Sequence, residues 1–222
     1  MRCDNLRLVG SAQTNGVMAA ELIRVAHRAG LPRPPTPKRI GLGQLVYPWS
    51  APLARAATGY LRCVSRVARD LYRSSAVRLE PLYEELFDDV VADDRDWWKS
   101  VRSISVEARH VDAFAAGDRQ VVGTIKNAIC DGLARHGVRV AVDGYRPDVI
   151  VVARLDDDGV MWVSLDIGHG SLSQRGWRTD GGTAPLREHL ASVMLMEARF
   201  DPRRDAVVDP MCGSGTLPIE AV

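Results

Sequence analysis

Apolar residues at Val17, Met18, Leu22, Val25 and Ala26 recur with helical spacing, and Gly30 follows them as a stop signal, so residues 16–30 read as an amphipathic helix. Before it, residues 6–13 (LRLVGSAQ) alternate weakly and predict a short strand. Residues 31–38 carry four prolines and must be a loop. Residues 39–47 read as a strand, weakened by Gly41 and Gly43. A long helix is predicted over 51–73, with Leu61, Val64, Ala68 and Leu71 on one face and Arg55, Arg62, Arg66, Arg69 and Arg73 on another. Residues 80–95 form an acidic amphipathic helix, and 103–109 (SISVEAR) alternate as a strand. Asp118 is placed to cap a helix that turns Val122, Ile125, Ile129 and Leu133 inward and is closed by Gly137. The clearest local pattern is a β-hairpin: residues 148–155 (DVIVVARL) and 160–167 (VMWVSLDI) flank Asp156-Asp157-Asp158-Gly159.

From Gly168 the pattern changes. Residues 168–182 are glycine-rich and polar, a linker or a loop that touches a ligand. Residues 184–199 read as a helix with Pro185 in its first turn, where proline is tolerated. Residues 206–209 (AVVD) read as a short buried strand, followed by a glycine turn that opens another helix. These elements make an α/β chain.

Composition adds little until charge is divided along the chain. The 222 residues carry a net charge of +1, but residues 1–80 hold 13 basic against 4 acidic residues, a balance of +9, and the remainder is −8. A basic front of this kind suits a polyanionic partner. The arginines at 62, 66, 69 and 73 are then either a solvated helix face or a phosphate-facing stripe. Trp97-Trp98 has two readings, a platform for RNA bases or, more commonly, a partly buried anchor. The four cysteines are scattered without a CxxC pair, which argues against a zinc ribbon or a disulfide framework and fits a reducing cytoplasm. No apolar run is long enough to span a membrane. The five histidines lack metal-ligand spacing and read as structural or surface residues. The triple aspartate reads as turn chemistry, because a calcium loop needs a longer ligand series.

The string Val207-Val208-Asp209-Pro210-Met211-Cys212-Gly213-Ser214-Gly215-Thr216 is strand, acid, glycine turn and helix start. Glycines at these positions let backbone pass close beneath a ligand. A P-loop would need a lysine after Gly215, and a dinucleotide fingerprint would need a third glycine where Pro218 stands. The S-adenosylmethionine loop of class I methyltransferases fits, and an α/β turn with no ligand stands beside it. Cys212 is either a thiol activated by the helix start or, more simply, a small turn residue.

Residues 209–221 (DPMCGSGTLPIEA) resemble motif I of the THUMP-containing RNA methyltransferases, above all the bacterial type that makes N2-methylguanosine in large-subunit rRNA. Residues 165–178 resemble the family's junction, with Arg175-Gly-Trp-Arg178 in place of its RGYR-like turn; residues 184–195 resemble its motif X helix, and 61–67 its LRxxSRV segment. The junction departs from the family at Ser173-Gln174, where His-Lys or His-Arg is usual, and at Trp177, which replaces tyrosine.

The resemblance implies an N-terminal ferredoxin-like half-module over 1–52, a THUMP RNA-binding domain over 53–167 and the beginning of a Rossmann-like methyltransferase domain over 168–222. It implies S-adenosylmethionine as cofactor, held by Asp209, Pro210, Gly213 and Gly215, with Thr183, Ala184 and Pro185 at its methionine end. It implies rRNA as partner, with tRNA as the alternative substrate, and no catalytic acid or base and no metal. No Asn-Pro-Pro-Tyr or Asp-Pro-Pro-Tyr string, which the family uses to hold the target amine, is present. With one strand after residue 168, the expectation is a fragment of a longer enzyme, inactive alone, whose competitor is a pure RNA-binding module.

Overall fold

A computed structural model of the chain describes residues 1–89, 95–178 and 185–222. In chain order the elements are β1 (Arg2–Val9), α1 (Asn15–Arg28), β2 (Lys38–Arg39), β3 (Gln44–Pro48), α2 (Ala51–Tyr60), β4 (Arg66–Ser74), α3 (Leu79–Asp89), α4 (Arg95–Trp98), β5 (Ser103–Arg109), α5 (Asp118–Arg135), β6 (Ala141–Val142), β7 (Val149–Leu155), β8 (Met161–Asp166), α6 (Glu188–Glu197) and α7 (Thr216–Glu220). The fold is mixed α/β, as the sequence predicts. Two compact units emerge. The first combines Met1–Leu6 with Ala68–Gly170, and the second combines Arg7–Val67 with Ser171–Val222.

The first unit is a mixed sheet in the order β4-β8-β7-β5-β6. The hairpin β7–β8 is antiparallel, with Ile150 opposite Asp166 and Leu155 opposite Met161. Its turn is aspartate chemistry as expected. The Asp156 carboxylate accepts the backbone N–H groups of Asp158 and Val160 and the Trp162 indole N–H, and Gly159 takes φ +75. β5 and β7 run parallel, as two strands joined through the helix α5 can. Helices α3 and α5 bury Leu82, Leu86, Val121, Ile125, Ile129 and Leu133 against sheet residues such as Val151, Ala153 and Val163. The inward stripe of α5 begins at Val121 and not Val122, because the helix starts at Asp118 and Gly117 is its cap. Trp98 is buried and Trp97 lies at the surface, which fits the anchor reading.

In the second unit α1 buries Val17, Met18, Leu22, Val25 and Ala26, the stripe read from the sequence. β2 and β3 form a small antiparallel hairpin around Gly41 and Gly43, both at positive φ, so the expected single strand over 39–47 is folded back on itself. The expected strand over 6–13 lies earlier, at Arg2–Val9. α6 spans Glu188–Glu197, so Pro185 precedes the helix and stands exposed ahead of its cap, Arg187.

Two expectations fail. The helix predicted over 51–73 ends at Tyr60, and Arg66–Ser74 is a strand. Two features mislead there. β4 is buried on both faces, so its apolar residues show no period of two. The break itself is imposed from a distance: Glu21 accepts the backbone N–H groups of Arg62 and Cys63 at 2.8 and 2.9 Å, which holds the chain out of helix. The second failure is the buried strand over 206–209. Val207 and Val208 pair with no strand among the described residues, and Val208 is 86% exposed. A lone extended segment has no ladder to join and no layer to cover it.

Candidate functional site

The glycine loop between Asp209 and Thr216 lies within the second unit. The Asp209 carboxylate accepts the Met211 N–H at 3.1 Å, and Gly215 N–H donates to the Cys212 carbonyl at 2.8 Å. Gly213 and Gly215 take φ +53 and +75, conformations in which a side chain is strained. A Cβ on Gly213 would meet nothing within 4 Å, so that side of the loop is open to an approaching ligand. Asp209 is half-buried, Pro210 and Gly213 are exposed, and Thr216 is buried as the first residue of α7. The four expected loop residues therefore share one exposed turn.

What fixes the loop is a pair of arginines from the junction segment. Arg178 Nη2 donates to Thr216 Oγ1 at 2.8 Å and to the Leu186 carbonyl at 2.9 Å, and its Nε donates to the buried Glu188 at 3.2 Å. Its guanidinium also lies 5.0 Å from the centre of the Trp177 ring. Arg178 Nη1 and Trp177 Nε1 are buried without a hydrogen-bond partner among the described residues. Arg175 meets Glu220, at the far end of α7, with Nη1 2.8 Å from Oε2. Glu220 is 2% exposed and also accepts from Ser192 at 2.7 Å and from Arg62 at 2.8 Å. Arg175 Nη2 returns to the Arg62 carbonyl at 2.7 Å. Burial pushes the Arg175 guanidinium below its ordinary value, while Glu220 opposes that shift.

His189, on the first turn of α6, is also buried. Its Nε2 lies 2.9 Å from Ser11 Oγ and its Nδ1 2.6 Å from Ser173 Oγ. A neutral imidazole has one donor and one acceptor nitrogen, so one hydroxyl donates to it and the other accepts from it. Burial lowers its pKa, as does the nearby Arg187 charge. The histidine thus stitches the turn after β1, the junction and α6. The sequence reading of the histidines as structural holds here.

Thr183 and Ala184 lie outside the described residues. The arginines offered as an RNA-facing stripe do not share a helix face. Arg62 is in a loop on Glu220, Arg69 in β4 donates to Asp4 at 2.8 Å, Arg66 opens the same strand half-buried, and Arg73 is exposed near its end. Among the described residues no cluster could hold a metal ion, and no helix is long and apolar enough to cross a membrane. The residues fixing the loop that sequence reasoning missed are Arg175, Arg178, Glu188 and Glu220. Only the paired arginines of the junction carried any signal.

Residues 175–222 match the family described as "UPF0020: RMKL-like, methyltransferase domain". The chain is similar to "Ribosomal RNA large subunit methyltransferase K/L" of Pseudomonas putida (strain F1), 46% identical over 176 residues, which cover 74% of this chain and 23% of the relative. The protein of the same name from Alteromonas mediterranea is 46% identical over 99 residues, 44% of this chain and 14% of the relative. The chain thus matches only 14% to 23% of the length of these relatives. Among solved structures, SMU.472 complexed with SAH superposes with a TM-score of 0.77 at 22% identity, covering 100% of this chain and 55% of that one. TrmN from Thermus thermophilus superposes with a TM-score of 0.72 at 21% identity, covering 99% and 61%. At these identities the structural likeness shows a shared fold.

Proposed function

We propose that the chain belongs to an S-adenosylmethionine-dependent RNA methyltransferase that modifies N2 of a guanosine in 23S rRNA. The observation that carries the reading is the glycine loop: two left-handed glycines open α7, with free space over Gly213. The names and the 46% identity of the rRNA methyltransferase relatives support the choice of RNA. In this reading residues 1–52 are the ferredoxin-like half-module, 53–167 the THUMP RNA-binding domain and 168–222 the start of the catalytic domain.

The residues present fit the cofactor in part. Gly213 and Gly215 form a floor without side chains, and Asp209 and Pro210 set the entry of the turn. Pro185, in the segment that leads into α6, is assigned in this reading to the methionine end of the cofactor, as are Thr183 and Ala184, which lie outside the described residues. The cofactor supplies an electrophilic methyl group. The task of this chain is to hold and orient, because such transfer depends on positioning and electrostatics. Arg178 fixes the start of α7 through Thr216, and Arg175 fixes its end through Glu220. The loop is thereby preorganised on both sides.

The test is a methylation assay of the full-length protein with labelled S-adenosylmethionine and unmodified 23S rRNA. N2-methylguanosine is expected in the nuclease digest. Label in tRNA alone moves the substrate assignment, and no label in either RNA contradicts the reading.

A further inference from the structure

The four-proline segment 31–38 joins α1 to the β2–β3 hairpin within the second unit, and the glycine loop makes no use of it. Leu31, Arg33, Pro34 and Thr36 each precede a proline, which disfavours helix and pushes them into the extended range. Pro32, Pro34, Pro35 and Pro37 have φ fixed near the value of a polyproline II helix. The sequence therefore winds the segment into that left-handed form, with about three residues per turn. Burial follows the same period. Pro34 is buried and Leu31, Pro37 and Ile40 are half-buried, whereas the two residues after each of Leu31, Pro34 and Pro37 are exposed. One edge of the helix is seated on the second unit, and the other two face outward.

Both ends of the segment are pinned. Leu31 N–H donates to the Ala26 carbonyl at 2.9 Å, which closes α1 behind Gly30 at φ +66. Lys38 and Arg39 pair with Val46 and Leu45 in the hairpin. The outward edges carry Pro32, Pro35 and Lys38 on one side and Arg33, Thr36 and Arg39 on the other. The three cations have no carboxylate partner among the described residues, and the sequence holds no acid between Glu21 and Asp70. Leu42, 73% exposed, stands at the tip of the hairpin that follows, between Gly41 and Gly43 at positive φ.

We propose that this ridge docks a partner protein whose groove is lined by aromatic rings and rimmed by carboxylates. Prolines three apart on one exposed edge are what such a groove holds, because a segment already in the bound form loses little conformational entropy on docking. The cations beside the prolines call for acids on the rim. Residues 31–43 contain no aromatic ring on which a base could stack, which favours a protein over a nucleic-acid strand as occupant. Docking here is independent of the cofactor reading of the glycine loop.

The test is nuclear magnetic resonance titration of an isotope-labelled SH3 domain, chosen for carboxylates around its aromatic groove, with the unlabelled full-length protein. Wild type is expected to shift or broaden the groove resonances, more weakly as salt rises. Pro32→Ala/Pro35→Ala is expected to weaken binding at least about tenfold, the loss that follows removal of a strong contact. That variant is expected to melt close to wild type, because both side chains are exposed. Arg33→Glu/Lys38→Glu is expected to abolish binding. No binding by wild type, or equal binding by the proline variant, overturns the proposal. A parallel anisotropy titration uses labelled dodecauridylate. Binding of that strand lost in the charge variant, with the proline variant neutral toward both probes, overturns the protein assignment in favour of a nucleic-acid strand.

Discussion

Arg178 Nη2 donates to Thr216 Oγ1 at 2.8 Å, a bond across 38 residues that joins the junction turn to the residue that opens α7. The same guanidinium holds Glu188, whose side chain is only 10% exposed. Removing the arginine leaves a buried carboxylate unpaired, at a cost of about 3 kcal/mol. Arg178→Ala is therefore expected to lower the urea midpoint clearly, and Arg178→Lys to recover only part of it, since an ammonium cannot reach Thr216, Leu186 and Glu188 in the fork geometry of a guanidinium.

Glu220 and Asp4 make ion pairs of different worth. Glu220, 2% exposed, serves Arg62, Arg175 and Ser192, whereas the Asp4–Arg69 pair has its carboxylate 52% exposed. Glu220→Gln is expected to cost about 3 kcal/mol, and Asp4→Asn less than about 1 kcal/mol. Denaturant unfolding of the two variants side by side checks the ordering.

Burial holds His189 neutral, with its pKa below the ordinary 6.5, and the positive charge of Arg187 acts in the same direction. The unfolded chain therefore takes up this proton at a higher pH than the folded one. The contribution to stability is complete above about pH 6.5 and is lost as pH falls below it toward the folded pKa. Unfolding free energy measured from pH 8 to 5 is expected to fall below pH 6.5, and His189→Gln to flatten that part of the profile.

Cys63 and Cys212 are opposites. Cys63 is fully buried, and burial together with Glu21 pushes its thiol well above the ordinary range, while Cys212 is exposed on the glycine loop. Iodoacetamide followed by peptide mass mapping is expected to label Cys212 in the native protein and Cys63 only after unfolding. Prompt native labelling of Cys63 would show that the Glu21 turn does not hold the chain as described.

The parts legible in the sequence are those set by neighbours in the chain. The β7–β8 hairpin follows from Asp156 and Gly159, α5 from its apolar period, and the glycine loop from residues within one decapeptide. The parts that were not legible are set by distant partners. Nothing near Arg62 says that Glu21 will take its N–H, so the helix read through Leu61 stops short. The spacing of Arg62, Arg66, Arg69 and Arg73 imitates a helical stripe because β4 is buried on both faces and gives no alternation to contradict it. The network around the loop was hidden for the same reason: Arg62 and Glu220 lie 158 residues apart.

The central claim is that Gly213 and Gly215 floor an S-adenosylmethionine site. Gly213→Ala probes it most directly, because the added Cβ meets no protein atom within 4 Å and the protein bears only the backbone strain, about 1 kcal/mol. Calorimetric titration of the full-length protein with S-adenosylmethionine is expected to give binding that weakens at least about tenfold in Gly213→Ala, with its melting temperature little changed, and that vanishes in Gly215→Val, which also melts lower because a β-branched residue is strained at φ +75. Equal affinity in wild type and both variants would contradict the account.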